Sequence, residues 1–486
     1  MSIASQLANY AINAFQNDLP ESIKKIGIQA LIDQLGLQVA GSELSWSQSI
    51  YSVEKNYHRS QGLSSITRYG DQVSPIQAAF INGSFAHAQD FDDTHQAAQT
   101  HPGSVVIPAA IALAEHHNLP GNITLRAIIL GMEIMLRLSH SLSPVCMEGG
   151  HHTCPTIGPF GSAIASGLLM GLNETQLTHA LGICGSYSGA LTEFTLSGGS
   201  VKRIYPGLGA RSGLEAALLA NEGLTGPATI IEGRKGMWSI YGRGFPYPER
   251  LFEQWGERYL LSSLIFKQYS CCLLIHPAIE AFLEICHEHQ FTAKDIKQVN
   301  VGLSKQSTAH VGSIGIPEDV LGAQFSTSFM LAFSLIKEPP GMWSNLTEAL
   351  ANTEIIELAK RIQVYEDHDV SREFPEKNGC ILHIQTQNDK RYSCNIKNSK
   401  GSVDNEFFEE DVKKKFMQNT RPIFLSGQAE NFYDLLLNFE NLISLKQIFC
   451  EEYFMRLVDR FTKRVPYLSF PRRRESTLNG SPPSRE

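Results

Sequence analysis

The sequence predicts a mainly α protein, in which a large all-helical domain built from both chain ends carries a smaller α+β domain inserted between them. Three observations predict it. Apolar residues recur at three- and four-residue spacing from Ser2 to about Gly256, period-two stretches occur only between Gln298 and Ile396, and helical spacing returns after Glu406. Strands that interrupt one helical unit explain this order best. The boundaries read from it are 1–262 for the first helical part, 263–403 for the α+β domain, 404–456 for the helical return, and 457–486 for a tail expected to be disordered.

In chain order, helices are expected over Ser22–Ala40, Pro75–Ala88, Val105–His117, Leu125–Leu142, Gly161–Leu172, Glu174–Gly189 and Arg211–Glu222. Several are rich in Gly and Ala, which lets backbones approach closely. A helix over His276–His289 opens with Pro277, a residue suited to a first helical turn. Strands follow at Gln298–Leu303, Arg361–Tyr365, Gly379–Gln387 and Arg391–Ile396, interleaved with helices over Ala323–Ile336 and Thr353–Arg361. Helical spacing resumes over Asp411–Phe416 and Ala429–Arg456. The tail carries Arg472-Arg473-Arg474 and Pro482-Pro483 with almost no apolar periodicity, the pattern of a solvated segment.

A chain of 486 residues, 42% hydrophobic and 19% charged, is expected to be a soluble globular protein of about two to four compact units. Its 41 Lys+Arg against 49 Asp+Glu exclude nucleic acid as the main partner, because phosphate binding needs a basic footprint. No run of about 20 apolar residues is present, so no membrane span is expected. Met1–Ala14 reads as the start of a helix and not as a signal peptide. The nine cysteines are odd in number and form no C-x-x-C pair; they are expected to be reduced and buried, which places the protein in the cytoplasm.

Four segments concentrate the polar chemistry. The first runs His87-Ala-Gln-Asp90-Phe-Asp92-Asp93-Thr-His95 and on to His101-Pro102, in a loop expected beside a helix amino terminus whose free N–H groups suit an anion. Here Asp90 is expected to orient His101 for acid/base work and to favour its protonated form; a run of capping and turn residues is the alternative. No zinc-protease or EF-hand spacing is present, so no metal is expected. The second is Gly149-Gly-His151-His152 with Gly158-Pro-Phe-Gly161, a shaped turn that could aim His152 into a cleft or simply hold it structurally. In the third, Lys202 and Arg203 precede a helix start at Pro206-Gly207, a combination suited to a carboxylate or phosphate, or a plain basic turn. Its glycines do not make a dinucleotide fingerprint, since no strand precedes them. The fourth is Lys267-Gln-Tyr269-Ser-Cys271-Cys272 through His276-Pro277, where Lys267 stands alone among apolar residues.

Taken together and in this order, the segments resemble the MmgE/PrpD family, whose members include 2-methylcitrate dehydratases and cis-aconitate decarboxylases. Asn82-Gly83-Ser-Phe-Ala-His87-Ala-Gln-Asp90-Phe-Asp92-Asp93-Thr94 is similar to the family's N-G-x-x-x-H-x-x-D-F-D-D-T signature, and the other three segments look like family blocks. The resemblance covers about residues 5 to 455. It implies a homodimer, an active site in the cleft between the domains, and no metal or organic cofactor. It implies catalytic roles for Asp90, His101, His152, Lys202 and Lys267, beside which Arg203, Tyr269 and His276 are expected to bind substrate. Two departures stand out: His152 is followed by Thr153-Cys154 where the family often has proline and threonine, and the family's F-S-x-x-Y block reads Phe325-Ser326-Thr327-Ser328-Phe329. Phe329 can neither donate a hydrogen bond nor give a proton, so either the reaction differs or a group such as Ser328 or Tyr269 covers that role.

The function expected is a lyase acting on a small di- or tricarboxylic acid, foremost a dehydratase of the 2-methylcitrate type that removes a proton next to a carboxylate. Cis-aconitate-type decarboxylation and dicarboxylate epimerisation are the alternatives within the enzyme class, and a non-catalytic carboxylate binder is the alternative outside it.

Overall fold

The computed structural model describes residues 1–449 apart from 59, 245, 338–343, 403, 404 and 406–408. The tail expected over 457–486 with its arginine run, Cys450, and the end of the helix expected to reach Arg456 lie outside the described residues.

The chain is mainly α with one small mixed sheet. Its first part contains α1 (Ile3–Gln16), α2 (Glu21–Gly41), α3 (Pro75–Ala86), α4 (Pro102–His116), α5 (Gly121–His140), α6 (Gly158–Met170), α7 (Glu174–Cys184) and α8 (Tyr205–Asn221). Local chemistry sets their ends. Ser74 caps α3 by accepting from Gln77 N with Pro75 in the first turn, and Asn173 and Gln176 form a capping box on α7. Pro206 in the first turn of α8 moves its start upstream of the expected Arg211. Helix α7 stops at Cys184, short of the expected Gly189. Helices α4 and α6 are buried almost all round, the signature of central core elements.

Close helix contacts bring distant segments together. Helix α8 packs on α6 and on α3. A methyl group on Gly207 would overlap the carbonyl oxygen of Phe80, and one on Gly213 would overlap that of Pro159, so only glycine permits this approach. The turn ahead of α8 is thereby pressed against the end of α3.

Further along the chain come α9 (His276–Glu288), β1 (Ile296–Leu303), α10 (Lys305–Val311), α11 (Thr327–Ile336), α12 (Thr353–Ala359), β2 (Ile362–Glu366), β3 (Cys380–Thr386) and β4 (Arg391–Ile396). The sheet order is β2-β1-β3-β4, with β1 and β2 parallel and the other pairs antiparallel. Strand β3 alternates, turning Cys380, Leu382, Ile384 and Thr386 inward, and α9 packs on β3 and β4. The single helix expected over Ala323–Ile336 is broken, because Ser326 is extended and accepts from Phe329 N as the cap of α11. An antiparallel pair, Ser64–Ser65 with Gln72–Val73, is too short to show period two in the sequence.

Helices α13 (Glu409–Thr420) and α14 (Gln428–Leu437) lie on α2. Buried Lys415 of α13 pairs with Asp33 of α2 at 2.8 Å and donates to the carbonyl of Phe91 at 2.6 Å. None of the described helices is long and apolar enough to cross a membrane.

Lys415→Met tests this junction. Burial raises the Asp33 carboxyl to about 6 even though Lys415 pulls it down, so removing Lys415 raises it further. A carboxyl raised in the folded state stabilises below its unfolded value and loses that contribution as pH rises. The variant is expected to lose about 3–5 kcal/mol at about pH 8 and less at about pH 5, read by urea denaturation. A loss equal at both pH values would contradict this account.

Candidate active site

The loop between α3 and α4 is built around Asp90. Its φ of 51° is left-handed, a conformation aspartate tolerates better than most residues. Both its carbonyl and its carboxylate meet Lys267, whose Nζ donates to Asp90 O at 2.9 Å and to Oδ1 at 2.8 Å. Lys202 Nζ donates to the same Oδ1 at 2.8 Å and to His87 Nε2 at 2.9 Å. His87, at the end of α3, meets the Asp92 carboxylate through Nδ1 at 2.8 and 2.9 Å. All five side chains are buried.

Each member arrives from a different element. Lys202 lies in the 3-10 turn Val201–Ile204 ahead of α8. Lys267 follows Ile265, which exchanges two backbone hydrogen bonds of 2.8 Å with Thr94. His101 caps α4, and His152 caps the short helix Thr153–Thr156.

Hydrogen-bond partners settle the imidazole tautomers. His101 Nδ1 lies 2.9 Å from Asp93 O, which can only accept, so Nδ1 carries the hydrogen and Nε2 keeps a lone pair. His152 Nδ1 accepts from Cys154 N at 3.3 Å, so its hydrogen sits on Nε2. The two rings are nearly parallel, at 7° and 6.3 Å. Burial, aided by Lys267, His87 and Lys202, overcomes the pull of Asp92 and pushes His101 down to about 3. Burial also holds His152 well below its ordinary value, with Lys202 and His101 acting the same way.

The carboxyls and ammoniums respond differently. Burial alone would raise Asp90, but Lys202 and Lys267 outweigh it and hold the group well below the usual carboxylate range. Burial likewise opposes charge on both lysines. It prevails at Lys202, whose value is lowered, whereas Asp90 and Asp92 raise Lys267.

Asp90, His101, His152, Lys202 and Lys267 all line one cavity of about 710 Å³. The lining also includes Leu273, Lys305, His310, Phe325 and Phe374. An ammonium has three donors, and each lysine uses two on the partners above, which leaves one N–H per lysine for an anion in the cavity. Donor atoms of His87, Asp90, Asp92 and His101 lie within 4.8 Å of one another, close enough to hold a cation. The two ammoniums on Asp90 Oδ1 already supply that positive charge, so a divalent ion does not fit without expelling a lysine.

Several sequence expectations need correction. Asp90 does not orient His101; the Asp93 carbonyl does, with Thr94 Oγ1 at 2.9 Å and Asp92 Oδ2 at 3.5 Å. Nor is His101 held in its protonated form, since burial outweighs Asp92. The amino terminus of α4 is occupied by the chain's own Asp93, whose Oδ2 accepts from Gly103 N at 3.0 Å. Arg203, Tyr269 and His276 stand outside the cavity lining. Successive residues of a 3-10 turn point about 120° apart, so Arg203 leaves the site to bond Gln324 and to lie 5.1 Å from the Trp46 ring. Tyr269 packs on His276 with ring centres 5.0 Å apart.

His87 and Asp92 were legible only as members of a polar cluster, because what sets them apart is the contact of His87 with Lys202 from elsewhere in the chain and of Asp92 with His87. Phe329 is buried within α11, and Phe325 of the same block lines the cavity with its ring 5.5 Å from Lys202 Nζ. Ser328 donates to Gly315 O at 3.0 Å, and neither it nor Tyr269 reaches the lining in place of the missing tyrosine.

The MmgE/PrpD N-terminal domain family matches residues 5–250, and the MmgE/PrpD C-terminal domain family matches residues 269–441. The chain is similar to a cis-aconitate decarboxylase of Aspergillus terreus, 26% identical over 403 residues that cover 78% of this chain and 80% of the relative. It is also similar to a cis-aconitate decarboxylase of Mus musculus, 24% identical over 439 residues and 88% of each chain.

Asp90→Asn keeps the shape of the site but leaves two buried ammoniums without their shared counter-charge. The expected loss is about 3–5 kcal/mol in chemical denaturation, partly restored by adding Lys267→Met. An Asn variant as stable as the parent would argue against a charge-held site.

Proposed function

Because the chain belongs to the MmgE/PrpD family, we propose that it is a lyase that acts on a small di- or tricarboxylic acid without a metal or organic cofactor. The observation that carries this reading is the pair of buried ammoniums, Lys202 and Lys267, each with one N–H left for the cavity beside two neutral imidazoles of opposite tautomer. The ammoniums bind a substrate carboxylate and stabilise the enediolate that forms when negative charge builds on the neighbouring carbon. Fixed donors of this kind in a water-poor site are worth on the order of several kcal/mol each.

Two reactions use the same intermediate. The relatives' names favour decarboxylation of cis-aconitate. There the carbon–carbon bond to one carboxylate breaks, carbon dioxide leaves, the electron pair stays on the substrate, and a proton from solvent is relayed to carbon through His152, which ends neutral. The second reading, dehydration of a 2-methylcitrate-like acid, is favoured by the apolar Phe329 and by the acid/base complementarity of the histidines. His101 Nε2 takes the proton next to the bound carboxylate, the carbon–oxygen bond breaks, and the departing hydroxyl, held by a hydrogen bond from His152 Nε2–H, leaves as water with the proton that His101 has gained. In this reading the chain divides at residues 262 and 403 and works as a cytoplasmic homodimer.

Incubation with cis-aconitate and with 2-methylcitrate, followed by proton NMR and carbon dioxide capture, is expected to show turnover of one of them. Gas release identifies decarboxylation, and loss of water with all carboxylates kept identifies dehydration. Lys202→Ala and His152→Ala are each expected to lower kcat by about 10²–10⁴-fold while the protein still folds, and wild-type rates in both would sink the site assignment.

The acid side of the pH profile gives a separate check. With His101 held near about 3, kcat/KM is expected to stay level from about pH 7.5 down to about pH 5.5. An acid limb near the ordinary histidine value would count against His101 as the base.

A further inference from the structure

We propose that His87 is a positioning residue for the lyase reaction, fixing the rotation of the Lys202 ammonium so that its remaining N–H faces the substrate. The inference rests on the lyase reading above. His87 is fully buried and does not line the cavity, so it acts only through Lys202.

Its chemistry is set from behind. Asp92 accepts at His87 Nδ1 with both carboxylate oxygens, at 2.8 and 2.9 Å, so Nδ1 carries the hydrogen and Nε2 is an acceptor. Lys202 donates into that lone pair at 2.9 Å. An ammonium turns freely about its last bond, and an anchor on Asp90 Oδ1 alone would leave the other two N–H groups undirected. A second acceptor at a different place fixes the torsion, which sends the third N–H to the open side. Lys267 reaches the same end with two acceptors on Asp90 itself, its carbonyl and Oδ1.

A neutral acceptor does this without adding charge. A carboxylate in place of His87 would bind the ammonium more tightly and raise its hold on the proton. Burial and Lys202 keep His87 neutral against the pull of Asp92 and Asp90, and the rings of His101 and His152 lie 4.8 and 6.4 Å away. Asp92 also stands 3.5 Å from His101 Nδ1, so one carboxylate steadies the base directly and the lysine through His87. The Gly207–Phe80 contact supplies the geometry by pressing the Lys202 turn against the end of α3.

Two polar variants separate positioning from structure. In His87→Gln the side-chain oxygen can take the place of Nε2, whereas in His87→Asn the amide reaches Asp92 but not Lys202. Asn is expected to lower kcat by about 10²-fold with KM changed by less than about threefold, and Gln to stay within about tenfold of the parent. Equal impairment of the two, or parental kcat in Asn, would overturn the proposal. A readout independent of turnover is the pH dependence of acetylation of Lys202 and Lys267 by acetic anhydride, followed by peptide mass spectrometry. Asn is expected to change Lys202 and leave Lys267 as in the parent; equal changes at both, or none, would overturn it. If the parent turns over neither acid while this labelling contrast holds, the lyase reading fails and the His87–Lys202 geometry stands.

Discussion

One carboxylate oxygen, Asp90 Oδ1, takes hydrogen bonds from two buried ammoniums, and the arrangement of three chain segments depends on it. Removing charges from water costs several kcal/mol per ion, and pairing offsets this only where geometry is close and the remaining donors and acceptors are satisfied. Several features of the surrounding structure bring the charges close, while Asp90 Oδ2 has no hydrogen-bond partner among the described residues. The left-handed turn at Asp90 lets its carbonyl share the work, the Thr94–Ile265 pairing carries Lys267 to the loop, and Gly207 lets the Lys202 turn come within reach. From the far side, Lys415 on the returning carboxyl-terminal helix holds the carbonyl of Phe91, next to Asp90 itself.

The same burial that makes the pair costly gives the site its chemistry. It pushes both histidines toward the neutral form, while the mutual attraction of Asp90 and the lysines keeps positive charge beside them. Neutral imidazoles can take protons and then hand them on, and fixed ammoniums can stabilise negative charge that builds on carbon. These roles do not conflict with an overall charge of -8, because surface charge is screened over about 8–10 Å and the pocket answers to its own neighbours.

Legibility in the sequence followed the range of the interaction. Apolar spacing and content located helices α2 to α6 and strands β1 to β4 to within a few residues, because burial is recorded along the chain itself, but the mostly exposed helix Ser45–Tyr57 was missed. Spacing also failed where one local residue overrode the pattern: Ser326 split a helix, and Pro206 started another early. At the site, the polar cluster from His87 to His101 was visible as a cluster, but the partner of each member was not. Asp90 was matched with His101, the nearest histidine of suitable role, whereas its partners come from positions 202 and 267.

By itself the sequence determined the mainly helical class, the position of the strands, the residues able to exchange protons or hold anions, and the absence of a basic footprint. Those properties reside in side-chain type and in spacing along one element. Only the tertiary structure decided which nitrogen of each histidine carries its hydrogen, that Arg203 turns away while Lys202 turns in, and that Asp93 rather than a ligand occupies the amino terminus of α4. Each of these depends on a partner brought from a distant segment, or on how far burial removes a group from water, and neither is written in local spacing.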